Sequence, residues 1–109
     1  MPGLSRPLYQ MKADFFKTLG HPVRIRVLEL LSEREHAVSE MLSEIGVESA
    51  NLSQQLAILR RAGLVRASRT GLSVTYELTS PEVAQLLATA RAILTGVVAG
   101  QVEALEEPA

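Results

Sequence analysis

Three residues constrain this chain more than any others. Gly46, Val47 and Glu48 are all that separates two short apolar-striped segments, Val38–Ile45 and Ser49–Ala62. In the first segment Val38, Met41, Leu42 and Ile45 share one face, and the glutamates point away from it. In the second, Leu56 and Leu59 fall within about 40° of Leu52 at helical pitch. Gln54, Arg61, Ala50 and Asn51 then point outward, with Ser53 and Gln55 on the flanks. Two amphipathic helices joined by so short a glycine-containing break form a helix-turn-helix. The outward face of the second helix is polar, cationic and free of carboxylates, as a helix lying in a DNA groove needs to be.

The flanking segments extend this unit. Tyr9–Leu19 places Met11, Phe15, Phe16 and Leu19 at helical spacing, and Gly20 ends it. Pro22 suits the first turn of a following helix over Val23–Ser32, striped by Val23, Val27, Leu30 and Leu31. After Gly63, Leu64–Arg69 and Val74–Leu78 alternate with period two around Thr70-Gly71-Leu72-Ser73, which predicts a β-hairpin. A helix-turn-helix followed by a hairpin has the winged-helix order. The fold expected is therefore mainly α with a β-hairpin wing: four helices, two strands and a last helix. Ser80-Pro81-Glu82 starts that helix with a capping hydroxyl, a first-turn proline and an acid. Its stripe of Val83, Leu87, Ala90, Leu94 and Val97 would continue to Leu105, roughly 37 Å at 1.5 Å per residue. A compact chain of this size has a radius of gyration near 13 Å. Such a helix is too long and too apolar for its own domain and calls for a second copy. Residues 1–8 read as a flexible arm, 9–105 as one domain and 106–109 as a tail.

Composition narrows the function. The formal net charge of −1 hides an uneven distribution. Ser49 to Thr75 carries Arg60, Arg61, Arg66 and Arg69 and no acid, between two glutamate-rich stretches. The absence of cysteine excludes disulfides, thiolate metal sites and thiol nucleophiles. No signal peptide is readable, which points to a cytoplasmic protein. Gly96 and Gly100 are spaced as in close-packed helix pairs, but Gln85, Thr89, Arg91 and Thr95 are expected to interrupt the apolar run well short of a membrane span. Fraying near Gly96 and close approach at a dimer seam both remain open.

Phe16-Lys17-Thr18-Leu19-Gly20-His21-Pro22-Val23-Arg24-Ile25-Arg26-Val27-Leu28 resembles the opening helices of the ArsR/SmtB winged-helix repressors. Leu52-Ser53-Gln54-Gln55-Leu56 and Leu59-Arg60-Arg61-Ala62-Gly63-Leu64-Val65 resemble their recognition helix and its exit, and Val74-Thr75-Tyr76-Glu77-Leu78 the return strand of their wing. The resemblance spans roughly residues 12 to 95. It implies a homodimer that binds a palindromic double-stranded operator, with the first and last helices at the interface. Met11, Phe15, Val83, Leu87, Ala90, Leu94 and Val97 would line that seam. Twin recognition helices would meet successive major grooves about 34 Å apart. Ser49, Asn51, Ser53, Gln54, Gln55, Arg60 and Arg61 would contact DNA from the recognition helix, and Arg66, Arg69, Thr70 and Ser73 from the wing. The arginines would hold phosphates, and Asn51, Gln54 and Gln55 could read base edges, since a carboxamide pairs bidentately with adenine.

The chain departs from the family where relatives sense metals. The positions matching a cysteine pair near the third helix are Ala37 and Ser39. Those matching a carboxylate–histidine site on the last helix are Ser80, Glu82, Ile93 and Gly96. Neither set provides ligands for a soft or a borderline metal, so no metal and no cofactor are expected. The wing tip carries Leu72 where a basic residue is common. His21 is expected to cap or pack at a helix boundary, and His36 to be solvated among acids. A small-molecule effector stays unassigned, because an apolar pocket between the first and last helices would have no polar anchor. A second function class is a winged-helix interaction module that never touches DNA; the carboxylate-free stretch from Ser49 to Thr75, which such a module does not need, separates the two. An enzyme is the third class, without a nucleophile–base set or phosphate loop to support it.

Overall fold

A computed structural model describes residues 6–106, with side chains through Gln101. The expected arm over 1–8 and tail over 106–109 therefore lie mostly outside the described residues. The elements run α1 (Leu8–Leu19), α2 (Pro22–Glu33), β1 (His36–Ala37), α3 (Val38–Ile45), α4 (Ser49–Arg61), β2 (Val65–Thr70), β3 (Ser73–Leu78) and α5 (Glu82–Glu106).

Helix α2 is the central element, with Val27, Leu28, Leu30 and Leu31 all buried. It starts as its sequence dictates: Pro22 occupies the first turn, and His21 Nδ1 accepts a hydrogen bond from the Val23 backbone N–H at 3.1 Å. His21 is thus a cap. Met41 of α3, Leu52, Leu56 and Leu59 of α4, Val65 of β2, Tyr76 of β3 and Val83 of α5 close one core around α2. Gly46 sits at φ 74 between α3 and α4, a left-handed turn that a side chain would strain.

The sheet has three antiparallel strands in the order β1-β3-β2, one more than the hairpin expected. His36 pairs with Tyr76 and Ala37 with Thr75. Two residues are too short to carry a period-two signal, so this strand is visible only through its partner. It also corrects His36: the ring is buried, at 4% exposure, with Nδ1 2.9 Å from the Arg34 carbonyl oxygen, and is not solvated. The hairpin pairs Val65 with Leu78 through to Thr70 with Ser73. Gly71, at φ 61, takes the first position of its two-residue turn, the geometry of a type II′ hairpin. Leu72 at the tip is fully exposed.

Helix α5 packs on α2 only through its first turns. Val83 is buried, Leu86 and Leu87 are partly buried against the core, and every side chain from Arg91 to Gln101 is exposed. The Cα radius of gyration is 17.3 Å, against roughly 13 Å for a compact chain of this size. The 20-residue window Glu82–Gln101 has mean hydropathy 1.5 and is 6% buried. By length and composition this helix could cross a membrane, so the interruption expected from Gln85, Thr89, Arg91 and Thr95 does not hold. Their cost is outweighed by the leucine, isoleucine, valine and alanine between them.

Candidate nucleic-acid interface

Helix α4 carries the first group of candidate residues. Burial of Leu52, Leu56 and Leu59 fixes its rotation. Ser49, Ser53, Gln54, Arg60 and Arg61 are left exposed, and Asn51 half-buried near the helix start. Gln55 is different. It is 6% exposed, so it faces inward instead of flanking the outward face. Its Oε1 accepts from Arg24 Nη1 at 2.7 Å, and its Nε2 donates to Asn51 Oδ1 at 3.0 Å. Arg24 also donates from Nε to the Thr18 carbonyl oxygen at 2.6 Å, tying the end of α1 to α2 and α4. Sequence spacing could not identify this arginine, since 31 residues separate it from Gln55.

The wing carries the second group. Thr79 fastens its exit to the exit of α4, donating from its backbone N–H to Leu64 O at 3.1 Å and from Oγ1 to Gly63 O at 2.7 Å. Arg66, Arg69, Thr70 and Ser73 are all exposed on the hairpin. Arg66 stands opposite Glu77 in the strand register, and its Nε lies 2.7 Å from Glu77 Oε1. Its cation is therefore partnered, by an acid just past the carboxylate-free stretch. Arg60, Arg61 and Arg69 make no ion pair among the described residues. A cleft of about 450 Å³ separates α4 from the wing, lined by Ser39, Ser53, Arg60, Ser73 and Tyr76 among others and by no acid. One cation, Arg60, and the hydroxyls of Ser39, Ser53 and Ser73 at a largely apolar, acid-free cleft suit contact with a phosphodiester backbone.

The third group lies on α1 and α5. Met11, Leu94 and Val97 are exposed at 48%, 62% and 49%, beside Phe16, Ile93 and Val98. Ile25, Leu87, Ala90, Leu94 and Val98 line an open apolar groove between α2 and α5. Val83 does not belong to this surface, because the first turn of α5 is inserted into its own protomer's core. Phe15 also turns partly onto that core, and its neighbour Phe16 takes the exposed position. Ala37 and Ser39 stand at the start of α3, and Glu82, Ile93 and Gly96 along α5. Among the described residues no three His, Asp or Glu side chains gather into a metal-holding group.

Residues 19–67, which span the core of this arrangement, match a helix-turn-helix domain family. The uncharacterized HTH-type transcriptional regulator Rv0081 of Mycobacterium tuberculosis is 55% identical over 104 residues, 94% of this chain and 91% of its own length. Its crystal structure covers 90% of this chain and 99% of that one with a TM-score of 0.82. The biofilm growth-associated repressor of Xylella fastidiosa is 41% identical over 69% of this chain and 66% of its own. A homodimeric winged helix-turn-helix DNA-binding domain of Mycobacterium bovis, from a possible ArsR-family transcriptional regulator, is 28% identical with a TM-score of 0.74, covering 84% of each chain. These relatives are regulators and not enzymes. With their fold and their helix-turn-helix in place along nearly its whole length, this chain belongs to the ArsR/SmtB family of winged helix-turn-helix transcriptional regulators.

Proposed function

We propose that the chain acts as a homodimeric, sequence-specific DNA-binding repressor in the cytoplasm, acting on its own or neighbouring genes. The observation that carries this reading is the acid-free cleft between α4 and the wing, flanked by Arg60, Arg61 and Arg69, which have no carboxylate partner among the described residues. Twin copies of that surface, joined through α5, would meet a palindromic operator in successive major grooves. The exposed apolar surface of α5 supports a second copy as its cover, and the homodimeric relative supports the same arrangement. Repression is supported by the name of the Xylella fastidiosa relative.

The sensor chemistry of the metal-responsive relatives is absent from this reading. Ala37 and Ser39 offer no thiolate, and Ser80, Glu82, Ile93 and Gly96 offer one carboxylate. No cofactor and no metal are assigned. Elemental analysis of the purified protein is expected to find no stoichiometric metal. One tightly held zinc per subunit that weakens operator binding would overturn this part.

The DNA reading is tested by a gel shift on the region upstream of its own gene. Affinity is expected to fall steeply with salt, by roughly 0.9 log units per log unit of salt for each phosphate neutralised. Arg61→Glu, with its reversed charge, should abolish the shift. Binding that ignores both salt and this substitution would remove the groove assignment.

A further inference from the structure

The buried amide of Gln55 has a consequence for which base Asn51 can read. Arginine is a donor only, with no acceptor atom at any pH. Arg24 Nη1 at 2.7 Å therefore requires Gln55 to present its carbonyl oxygen. The amide nitrogen of Gln55 must then face the other way, and there it meets Asn51 at 3.0 Å. Asn51 can accept that hydrogen bond only through Oδ1. Its own NH2 group is consequently turned away from Gln55. Among the described residues Asn51 Nδ2 has no hydrogen-bond partner, and no unpartnered polar side-chain atom is buried, so this NH2 reaches the surface. The polarity of three side chains is thus set in series from Arg24, which is itself anchored on the Thr18 carbonyl oxygen at the end of α1.

We propose that Arg24 and Gln55 are positioning residues that hold Asn51 as a hydrogen-bond donor toward the operator, so that it reads base-edge acceptors, forgoes the bidentate adenine contact open to a free asparagine and disfavours cytosine. This rests on the DNA-binding reading above. Asn51 is the third residue of α4, in the part of a recognition helix whose side chains reach base edges. In the major groove guanine offers N7 and O6, adenine N7 and thymine O4 as acceptors, whereas cytosine presents only its N4 amine. The bidentate adenine contact needs the NH2 and the carbonyl oxygen of the same amide aimed together at the base edge, and Oδ1 is aimed at Gln55. Exposed Gln54 forms no side-chain hydrogen bond among the described residues and keeps both halves of its amide for reading. Neighbouring carboxamides therefore read by different rules.

Selection of bound sequences from a randomised operator library, followed by titration of single base-pair variants, tests the relay. Comparison of the wild type with Asn51→Ala locates the base pair that Asn51 reads, as the position whose preference collapses. There the wild type is expected to disfavour cytosine by roughly tenfold against the bases that offer an acceptor. Gln55→Glu is the decisive variant because it is isosteric. Its carboxylate still accepts from Arg24, but it also forces Asn51 to donate inward and turn Oδ1 to the groove. Preference at that one position should swap to cytosine or adenine, whose exocyclic amines donate, while the other positions stay unchanged. Arg24→Met repeats the test from the other end and should relax the preference without a swap. A wild type that prefers no sequence sinks the DNA reading itself. Specific binding with an unmoved preference at the Asn51 position in Gln55→Glu, or a uniform loss across all sequences, overturns the relay alone.

Discussion

At the start of α3, Glu40 accepts hydrogen bonds from Arg34 Nη2 at 2.8 Å and from the Ala37 backbone N–H at 2.9 Å. The Arg34 bond first, and then the backbone N–H, hold its carboxyl at about 2, against an ordinary 4.5. The unfolded chain therefore binds the proton that the folded chain refuses between those two values. The stabilisation is complete above pH 4.5 and is lost as pH falls through about 2. Thermal unfolding followed across that window should show a flatter acid limb for Glu40→Gln, and an unchanged limb would refute the assignment. Leu52 tests packing at the same scale. It has no exposed surface, so Leu52→Ala should cost about 2–5 kcal/mol in urea titrations. Periodicity identified Leu52, because burial along a helix follows its pitch. It placed Gln55 on the outward flank, because only a partner on another helix could turn that amide inward.

The wing is a balance of charge across two strands. Arg66 and Glu77 face each other in register, both well exposed, so the pair adds at most about 1 kcal/mol to stability. Its effect on DNA binding is larger, because Glu77 occupies a cation that a phosphate could use. Glu77→Gln should tighten operator binding and steepen its salt dependence by roughly 0.9 for each phosphate gained. Fluorescence anisotropy across a salt series measures both quantities, and weaker binding would place Arg66 away from the backbone. The two long strands were legible from alternation and from the glycine of their turn. The short strand of His36 and Ala37 was not, since it exists only as an addition to the edge of β3. The burial of His36 follows from that pairing and could not be read from the acids beside it.

At the scale of the molecule, α5 extends beyond the core that holds its first turns. Leu94 and Val97 are too apolar to remain in water along so long a face, and a second copy is the proposed cover. Leu94→Glu should convert a dimer to a monomer in sedimentation at micromolar concentration. Operator affinity should then fall by about 100-fold or more, as the second half-site becomes a separate binding event. A dimer that persists, or DNA binding indifferent to the change, would assign this face another role. The apolar stripe of α5 was legible, but how far the helix runs past Gly96 was not; it continues to Glu106. Its relation to the core was not legible either: Val83 carries the same stripe as Leu94 but lies inside the protomer, where α2 meets it.

Local physics determined much of this protein before any fold was known. Helix starts and stops, the turn between α3 and α4, the hairpin and the acid-free run of arginines depend on neighbours a few residues away, and so they are written in the order of residues. Tertiary structure decided which side chains meet across long separations: Arg24 with Gln55, and His36 with the return strand. Those encounters depend on the angle at which packed elements cross, which the core sets collectively and no single segment encodes.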